Sequence, residues 1–103
     1  MEKLEQRVER LANMWKEKAH LASDDEQGNV VVNLYCNLMA YCARPTMQGM
    51  EWKADLDQSL ADYVAFNQRQ REVHVKMHGE GSGAKAYDAM LNDIKQYFPE
   101  VKA

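Results

Sequence analysis

Residues Gln27–Ala43, with the sequence QGNVVVNLYCNLMAYCA, form a run of seventeen residues without one charged side chain. Placed on a helix, the apolar residues of this run cover more than half of the circumference, which is typical of a helix at the centre of a bundle. The triple valine Val30–Val32 also fits a strand. A helix is favoured because the pattern continues too long for a strand and because a helix start signal precedes it.

That start signal is the sequence SDDE. Ser23 and Glu26 have the spacing of a capping box, and Asp24 and Asp25 carry the negative charge that suits a helix N-terminus. Helix 2 is therefore predicted from about Asp24 to Ala43, before the ArgPro sequence at residues 44–45.

Three further helices are predicted from apolar periodicity, over residues 2–22, 52–78 and 82–98, with a connection at 44–50. Helix 3 follows a heptad spacing over nearly four repeats and would be about 40 Å long. Its predicted seam residues are Trp52, Leu56, Ser59, Tyr63, Phe66, Gln70, Val73 and Met77, and Leu60 and Val64 are predicted to widen the seam. The predicted fold is an all-α four-helix bundle with a long third helix, in one domain over residues 1–103.

Composition indicates an ordinary globular protein, because 46% of the 103 residues are hydrophobic, 28% are charged and the net charge is −3. This charge does not favour a nucleic-acid partner. No secretory signal or membrane-spanning run is recognised, so a cytoplasmic location is predicted. Cys36 and Cys42 would lie on different faces of helix 2 and are interpreted as small buried hydrophobic residues rather than a disulfide.

Two histidine motifs have spacings that occur in metal sites. His74 and His78 are one helical turn apart, and Glu17 with His20 is half of a di-iron signature. The first pair lacks a third ligand and flanks the predicted seam, where a helix C-terminus already favours histidine. Glu17 and His20 should face water. No metal or other cofactor is therefore predicted.

Two other features have possible binding roles. The sequence GEGSGAK, residues 79–85, has glycines before a helix N-terminus and could hold an anion, but a plain turn is favoured. Arg69, Arg71 and Lys76 could form a basic patch, but a solvated helix surface is favoured because the first two lie about 200° apart on the helix.

Self-association is predicted from the missing charge. A helix side that faces solvent normally carries Lys or Glu, so the uncharged asparagine stripe of helix 2 is expected to be covered by a second copy. Polar seam residues of helix 3 would help to set the register of that contact. The predicted interface residues are Asn29, Asn33, Asn37, Ser59 and Gln70.

The predicted function is that of a small non-catalytic accessory or regulatory protein. It would act by protein–protein interaction, as a homodimer that also binds another protein. One alternative is a bundle that binds a small ligand or a metal, with Trp15, Trp52, Tyr35 and methionines lining a pocket. A second alternative is a nucleic-acid-associated regulator that uses Arg69, Arg71 and Lys76.

Overall fold

The structure, a computed structural model, describes residues 2–101 as four helices and one small two-stranded sheet. In chain order the elements are α1 (Leu4–His20), α2 (Glu26–Cys42), β1 (Ala43–Thr46), β2 (Gly49–Trp52), α3 (Leu56–His78) and α4 (Ser82–Tyr97). The mostly helical architecture agrees with the sequence prediction, and the sheet was not predicted.

Helix α2 is the centre of the packing, since its contacts with the other three helices are together the most extensive of any helix. The apolar stripe that it turns towards these neighbours consists of Val30, Leu34, Leu38 and Cys42, all of them buried. Every other helix contributes large side chains that are almost completely buried around this stripe. These include Leu11 and Trp15 from α1, Leu60 and Tyr63 from α3, Met90 from α4, and Phe98 immediately after α4.

The start of α2 differs from the predicted capping box. The helix begins at Glu26, and Asp25 is its N-cap, because the Asp25 carboxylate accepts a hydrogen bond of 2.7 Å from the Gly28 N–H. Ser23 is therefore not the cap, and its backbone carbonyl accepts instead from the Asp25 N–H at 2.9 Å. Asp25 satisfies one of the N–H groups that every helix start leaves open.

A β-hairpin replaces the predicted connection and the predicted first turn of helix 3. Pro45 cannot continue a helix, and Gly49 adopts a positive φ of 127° that suits glycine. The strands pair antiparallel, with Ala43 opposite Trp52 and Thr46 opposite Gly49. Trp52 thus belongs to β2, and its four-residue separation from Leu56 imitated the spacing of a helical seam.

The face that α3 turns to the core also differs from the predicted seam. Its buried residues are Leu56, Leu60, Tyr63, Val64 and Asn67. All but Asn67 were predicted in the seam or beside it. The mean direction of the buried residues is nevertheless rotated from that of the eight heptad residues by roughly 75°, at 100° per residue, towards Leu60 and Val64. The predicted seam residues Val73 and Met77 are 51% and 73% exposed. A heptad seam assumes one partner helix, whereas α3 packs against both α2 and α4, so its core direction lies between them.

Candidate interaction surface

The outward side of α2 carries no charged residue. Apart from Glu26 at its start, the helix contains no Asp, Glu, Lys or Arg. The side that α1, α3 and α4 leave open is a continuous stripe, because its members recur every three or four positions. The exposed residues of this stripe are Asn29, Val32, Asn33, Cys36 and Ala40, and Asn37 is half-buried beside them.

One side of α3 extends this stripe. The rings of Tyr41 and Phe66 lie 5.4 Å apart, centroid to centroid, and mark the side on which α3 meets α2. Gln70, Val73 and Met77 follow Phe66 at spacings of four, three and four residues, so they lie on the same side of α3. Val73 and Met77 are largely exposed there, while Gln70 is half-buried.

We refer to this combined surface as the uncharged face. Its members are Asn29, Val32, Asn33, Cys36, Asn37 and Ala40 from α2, and Phe66, Gln70, Val73 and Met77 from α3. It includes four of the five residues predicted for an interface. The fifth, Ser59, is half-buried on the same side of α3, nearer the start of that helix.

Charged side chains border the uncharged face. Lys16, Glu17 and His20 of α1 line a shallow groove whose other wall is Val32 and Tyr35 of α2. Glu17 and His20 are exposed, as predicted from their direction on helix 1. On the outer side of α3 the exposed charged residues include Asp62, Arg69 and Lys76. The surface therefore has an uncharged centre and a charged rim, as protein interfaces commonly do.

Cys36 and Cys42 are both free thiols, but only one of them is buried. Cys42 is in the core, and burial raises the pKa of its thiol to about 12. Cys36 is exposed on the uncharged face, so its interpretation as a buried residue is wrong. The two cysteines lie on different faces of α2, as predicted. Cys36 is consequently available as a chemical reporter of that face.

His74 takes a different position from the predicted one. It points towards the bundle, its side chain is only 12% exposed, and its Nε2 lies 2.9 Å from Oε2 of Glu26. The rotation of α3 explains this change, because it moves Met77 outwards and His74 inwards. The His78 ring is 4.6 Å from the His74 ring, centroid to centroid, and His78 itself is exposed.

Glu26 connects three helices through one carboxylate. Besides meeting His74 of α3, its Oε2 accepts a hydrogen bond of 2.9 Å from the Gly83 N–H in the first turn of α4. The hydrogen bond with His74 and that from Gly83 hold the pKa of Glu26 below its ordinary value. The N-terminus of α4, considered above as an anion site, thus holds a carboxylate of this chain.

Gly83 is required by this arrangement. A Cβ atom at residue 83 would lie 2.2 Å from Nε2 of His74 and 2.6 Å from Oε2 of Glu26. The sequence predicted a turn here, and the contact with Glu26 was missed because it joins residues far apart in the chain. The one local signal is a glycine in the first turn of a helix, where it costs stability unless space demands it.

Metal coordination needs more ligands than this cluster provides. Within residues 2–101, no three His, Cys, Asp or Glu side chains are grouped so that they could hold a metal ion. His74 is engaged with Glu26, and His20 lies on α1 in the groove beside Tyr35. The two predicted histidine motifs therefore lie at separate places in the structure.

The residues of the predicted basic patch are not brought together. Arg71 is directed towards α4, where its guanidinium donates to Asp88 at 2.7 Å and to Glu80 at 2.8 Å. These hydrogen bonds, first those with Asp88 and then those with Glu80, raise the pKa of Arg71. Arg69 and Lys76 are exposed elsewhere on α3. Arg71 thus contributes to internal ion pairing rather than to an open basic surface.

The aromatic residues of the predicted ligand pocket do not share a cavity. Trp15 is buried and donates from Nε1 to Asp93 at 2.9 Å. It borders an open cleft between α1, α2 and α4, whereas Tyr35 borders the groove on the other side of α1. Trp52 is half-buried in β2, and Met47, Met50 and Met77 are exposed.

Comparison of the chain with protein-family models, curated proteins and solved structures gave no match. Among the helices of residues 2–101, none combines the length and the apolar character needed to cross a bilayer. Function is therefore inferred from the surface and contacts described above.

The ionised Glu26 carboxylate is expected to stabilise the fold. Because its folded-state pKa lies below the ordinary value of 4.5, its contribution is present above pH 4.5 and is lost as pH falls through the folded-state pKa. Glu26→Gln should therefore melt at a lower temperature than the original chain at pH 7, and this difference should shrink below pH 4.5.

Thermal unfolding followed by circular dichroism from pH 7 to pH 3 would measure this difference. Glu72→Gln, at an exposed position of α3, is the matched control. It should have the same melting temperature as the original chain at every pH. If the melting temperature of Glu26→Gln stayed below that of the original chain by a constant amount down to pH 3, a role for the carboxylate charge would be contradicted.

Proposed function

We propose that this chain is a small non-catalytic accessory or regulatory protein that acts by protein–protein interaction and associates with a second copy of itself. The observation that carries the proposal is the uncharged face on α2 and α3. Exposed Val32, Val73 and Met77 lie within it at 38%, 51% and 73% exposure. Exposed apolar side chains within an uncharged patch that has a polar rim are typical of interaction sites.

A second copy is the favoured partner because of the chemistry of this face. In a two-fold contact each residue type meets the same surface of the other copy, so a charged patch would meet its own charge. An uncharged patch avoids that repulsion. Its asparagine and glutamine side chains both donate and accept hydrogen bonds, so Asn29, Asn33, Asn37 and Gln70 are able to pair with the same residues of a second copy.

The sequence alone predicted the asparagine stripe as a contact. The structure adds support from the exposed apolar residues of α3, which were assigned to the intrachain seam. Burying Val73 and Met77 would stabilise the dimer in proportion to the apolar area removed from water. The proposed accessory role needs a further protein partner.

Sedimentation equilibrium should show a dimer at micromolar concentration, and Asn33→Glu should convert it to monomer. The introduced carboxylate of each copy, together with the surrounding amides, would lose water without a compensating charge, which commonly costs several kcal/mol. Asn92→Glu makes the same chemical change on the exposed surface of α4 and should leave the dimer intact. A monomer mass for the original chain at micromolar concentration would refute the proposal.

Cys36 offers an independent measurement of the same contact. Its thiol lies on the uncharged face, while Cys42 is buried in the core. The rate at which a thiol reagent labels Cys36 should therefore fall as protein concentration rises and association covers the face. Asn33→Glu should abolish this concentration dependence. If Cys36 in the dimer were labelled as fast as in the monomer, α2 would not be part of the interface, although the dimer itself would stand.

A further inference from the structure

The C-terminal part of α3 is attached to the bundle without a buried residue. The buried residues of α3 end at Asn67, and every residue from 68 to 82 is half-buried or exposed. We refer to residues 68–81, the last three turns of α3 and the turn that follows, as the distal segment. Few buried apolar contacts and exposed backbone are features of regions that open locally.

Two polar side chains of the distal segment contact the rest of the bundle. Arg71 donates to Asp88 of α4 at 2.7 Å, and His74 meets Glu26 of α2 at 2.9 Å. The other partner of Arg71 is Glu80, which belongs to the distal segment itself. The Asp88 and Glu80 side chains are 55% and 66% exposed, so salt can screen these ion pairs.

Asn67 lies one helical turn before Arg71, at the boundary of the distal segment. The residue is only 1% exposed, and its buried amide nitrogen and oxygen make no hydrogen bond of ordinary geometry, although the amide lies close enough to the Tyr63 hydroxyl to lower the pKa of that group. A buried polar group without a partner costs free energy that contact with water recovers. The closed form of the bundle therefore carries a cost at the boundary where the apolar attachment of α3 ends.

We propose that the distal segment is a polar latch, which detaches from α2 and α4 as a unit while residues 56–66 of α3 stay folded. Closing the latch forms the Arg71–Asp88 and His74–Glu26 contacts. Opening it loses these contacts and the packing of the His74 ring on Tyr87 of α4, 5.8 Å between centroids, but it exposes no fully buried residue of the distal segment. It also gives the Asn67 amide access to water. The proposal does not depend on self-association, although Gln70, Val73 and Met77 move with the latch.

Native-state amide hydrogen exchange can test this proposal directly. Amides of residues 71–78 should exchange at least about 10-fold faster than those of residues 60–66, because local opening needs less free energy than global unfolding. Arg71→Gln and His74→Gln should each raise the exchange rate of the amides of residues 71–78 by a further factor of about 10, since each variant removes one of the two polar contacts that hold the latch closed. Lys76→Gln, an exposed change in the same segment, should alter neither group of amides.

A second variant tests the part played by Asn67. Asn67→Leu replaces the amide with an apolar side chain of similar size, so it should slow exchange in residues 71–78. Equal protection along both halves of α3 in the original chain would overturn the proposal. The proposal would also be overturned if Arg71→Gln or His74→Gln raised the amide exchange rates of all four helices by the same factor. An Asn67→Leu variant in which residues 71–78 exchange as fast as in the original chain would overturn it too. Measurement at two protein concentrations separates any protection that comes from self-association.

Discussion

Replacing Tyr63 with alanine should lower the free energy of unfolding by about 3–5 kcal/mol, the range found for other buried aromatic truncations. The Tyr63 ring is completely buried against α2, with its centroid 5.7 Å from that of the Tyr41 ring. Its hydroxyl donates to the backbone carbonyl of Leu34 at 2.5 Å, and burial raises the pKa of that hydroxyl, which keeps it in the neutral, donating form. The truncation removes the ring, the hydrogen bond and the packing between α2 and α3.

Phe66→Ala is the informative comparison, because Phe66 lies on the predicted seam one turn further along. It is only half-buried, against Tyr41 at the edge of α2, so its truncation should cost about half as much as that of Tyr63. Tyr63→Phe isolates the hydroxyl and should cost about 1 kcal/mol. Urea titrations of the three variants would measure these differences. A Phe66→Ala loss equal to that of Tyr63→Ala would favour the predicted seam over the observed one.

The reason for the different seam shows what periodicity can predict. In α1, α2 and α4 the apolar residues occupy one sector, and the predicted helices lie within a few residues of the observed ones. In α3 two sectors compete, because Val73 and Met77 continue a heptad pattern that Leu60 and Val64 also adjoin. The sector that is buried is the one that faces both α2 and α4. The position of two partner helices is not encoded in the spacing of one helix.

The hairpin was missed for a related reason. The ArgPro sequence at residues 44–45 correctly ended helix 2, but four-residue strands give little periodicity. Trp52 then fitted the helical pattern by its distance from Leu56. Arg44 and Glu51 form an ion pair across the strands, but this pair can be recognised in the sequence only if the turn at Met47 and Gln48 is already known. Short strands joined by a tight turn are therefore hard to separate from the first turn of a following helix.

The two polar sites differ in how far the sequence could predict them. The uncharged stripe of α2 is visible in the sequence because it depends on residues of one helix. The Glu26–His74 contact joins residues that are 48 positions apart, and it became possible only when α3 turned His74 inwards. Glu26 was interpreted as part of a capping box for its own helix, whereas its carboxylate accepts from the first turn of α4. Contacts between chain segments require the packing to be known first.

Gly28→Ala should destabilise the protein by about 2–4 kcal/mol, although Gly→Ala inside a helix ordinarily stabilises by about 0.5–1 kcal/mol. Gly28 lies in the first turn of α2, where glycine ordinarily costs stability. The structure gives the reason for its presence. A Cβ atom there would lie 1.8 Å from the backbone oxygen of Ser23 and 2.9 Å from its carbonyl carbon. The chain between α1 and α2 would have to move, since backbone atoms cannot rotate away as a flexible side chain can.

That movement would also disturb the start of α2. The Ser23 carbonyl accepts from the Asp25 N–H, and the Asp25 carboxylate in turn caps the Gly28 N–H. Overpacking costs about 1–3 kcal/mol and loss of a cap about 1 kcal/mol, which together give the expected size of the effect. The variant should therefore lose stability and also show faster hydrogen exchange in residues 26–30.

Gly81→Ala is the matched control for this change. Residue 81 is the N-cap of α4, and the nearest atoms to a Cβ there are the Glu26 carboxylate oxygens at 3.7 and 3.9 Å, which is ordinary contact. Its substitution should cost less than about 1 kcal/mol, because alanine and glycine differ little in space at this position and moderately as caps. Equal stability of both variants in urea titrations would mean that the turn before α2 moves to accommodate the Cβ of Gly28→Ala without a loss of stability. In that case Ser23 and Asp25 would not fix the entry into α2, and the uncharged stripe would owe its direction to the core residues of α2 alone.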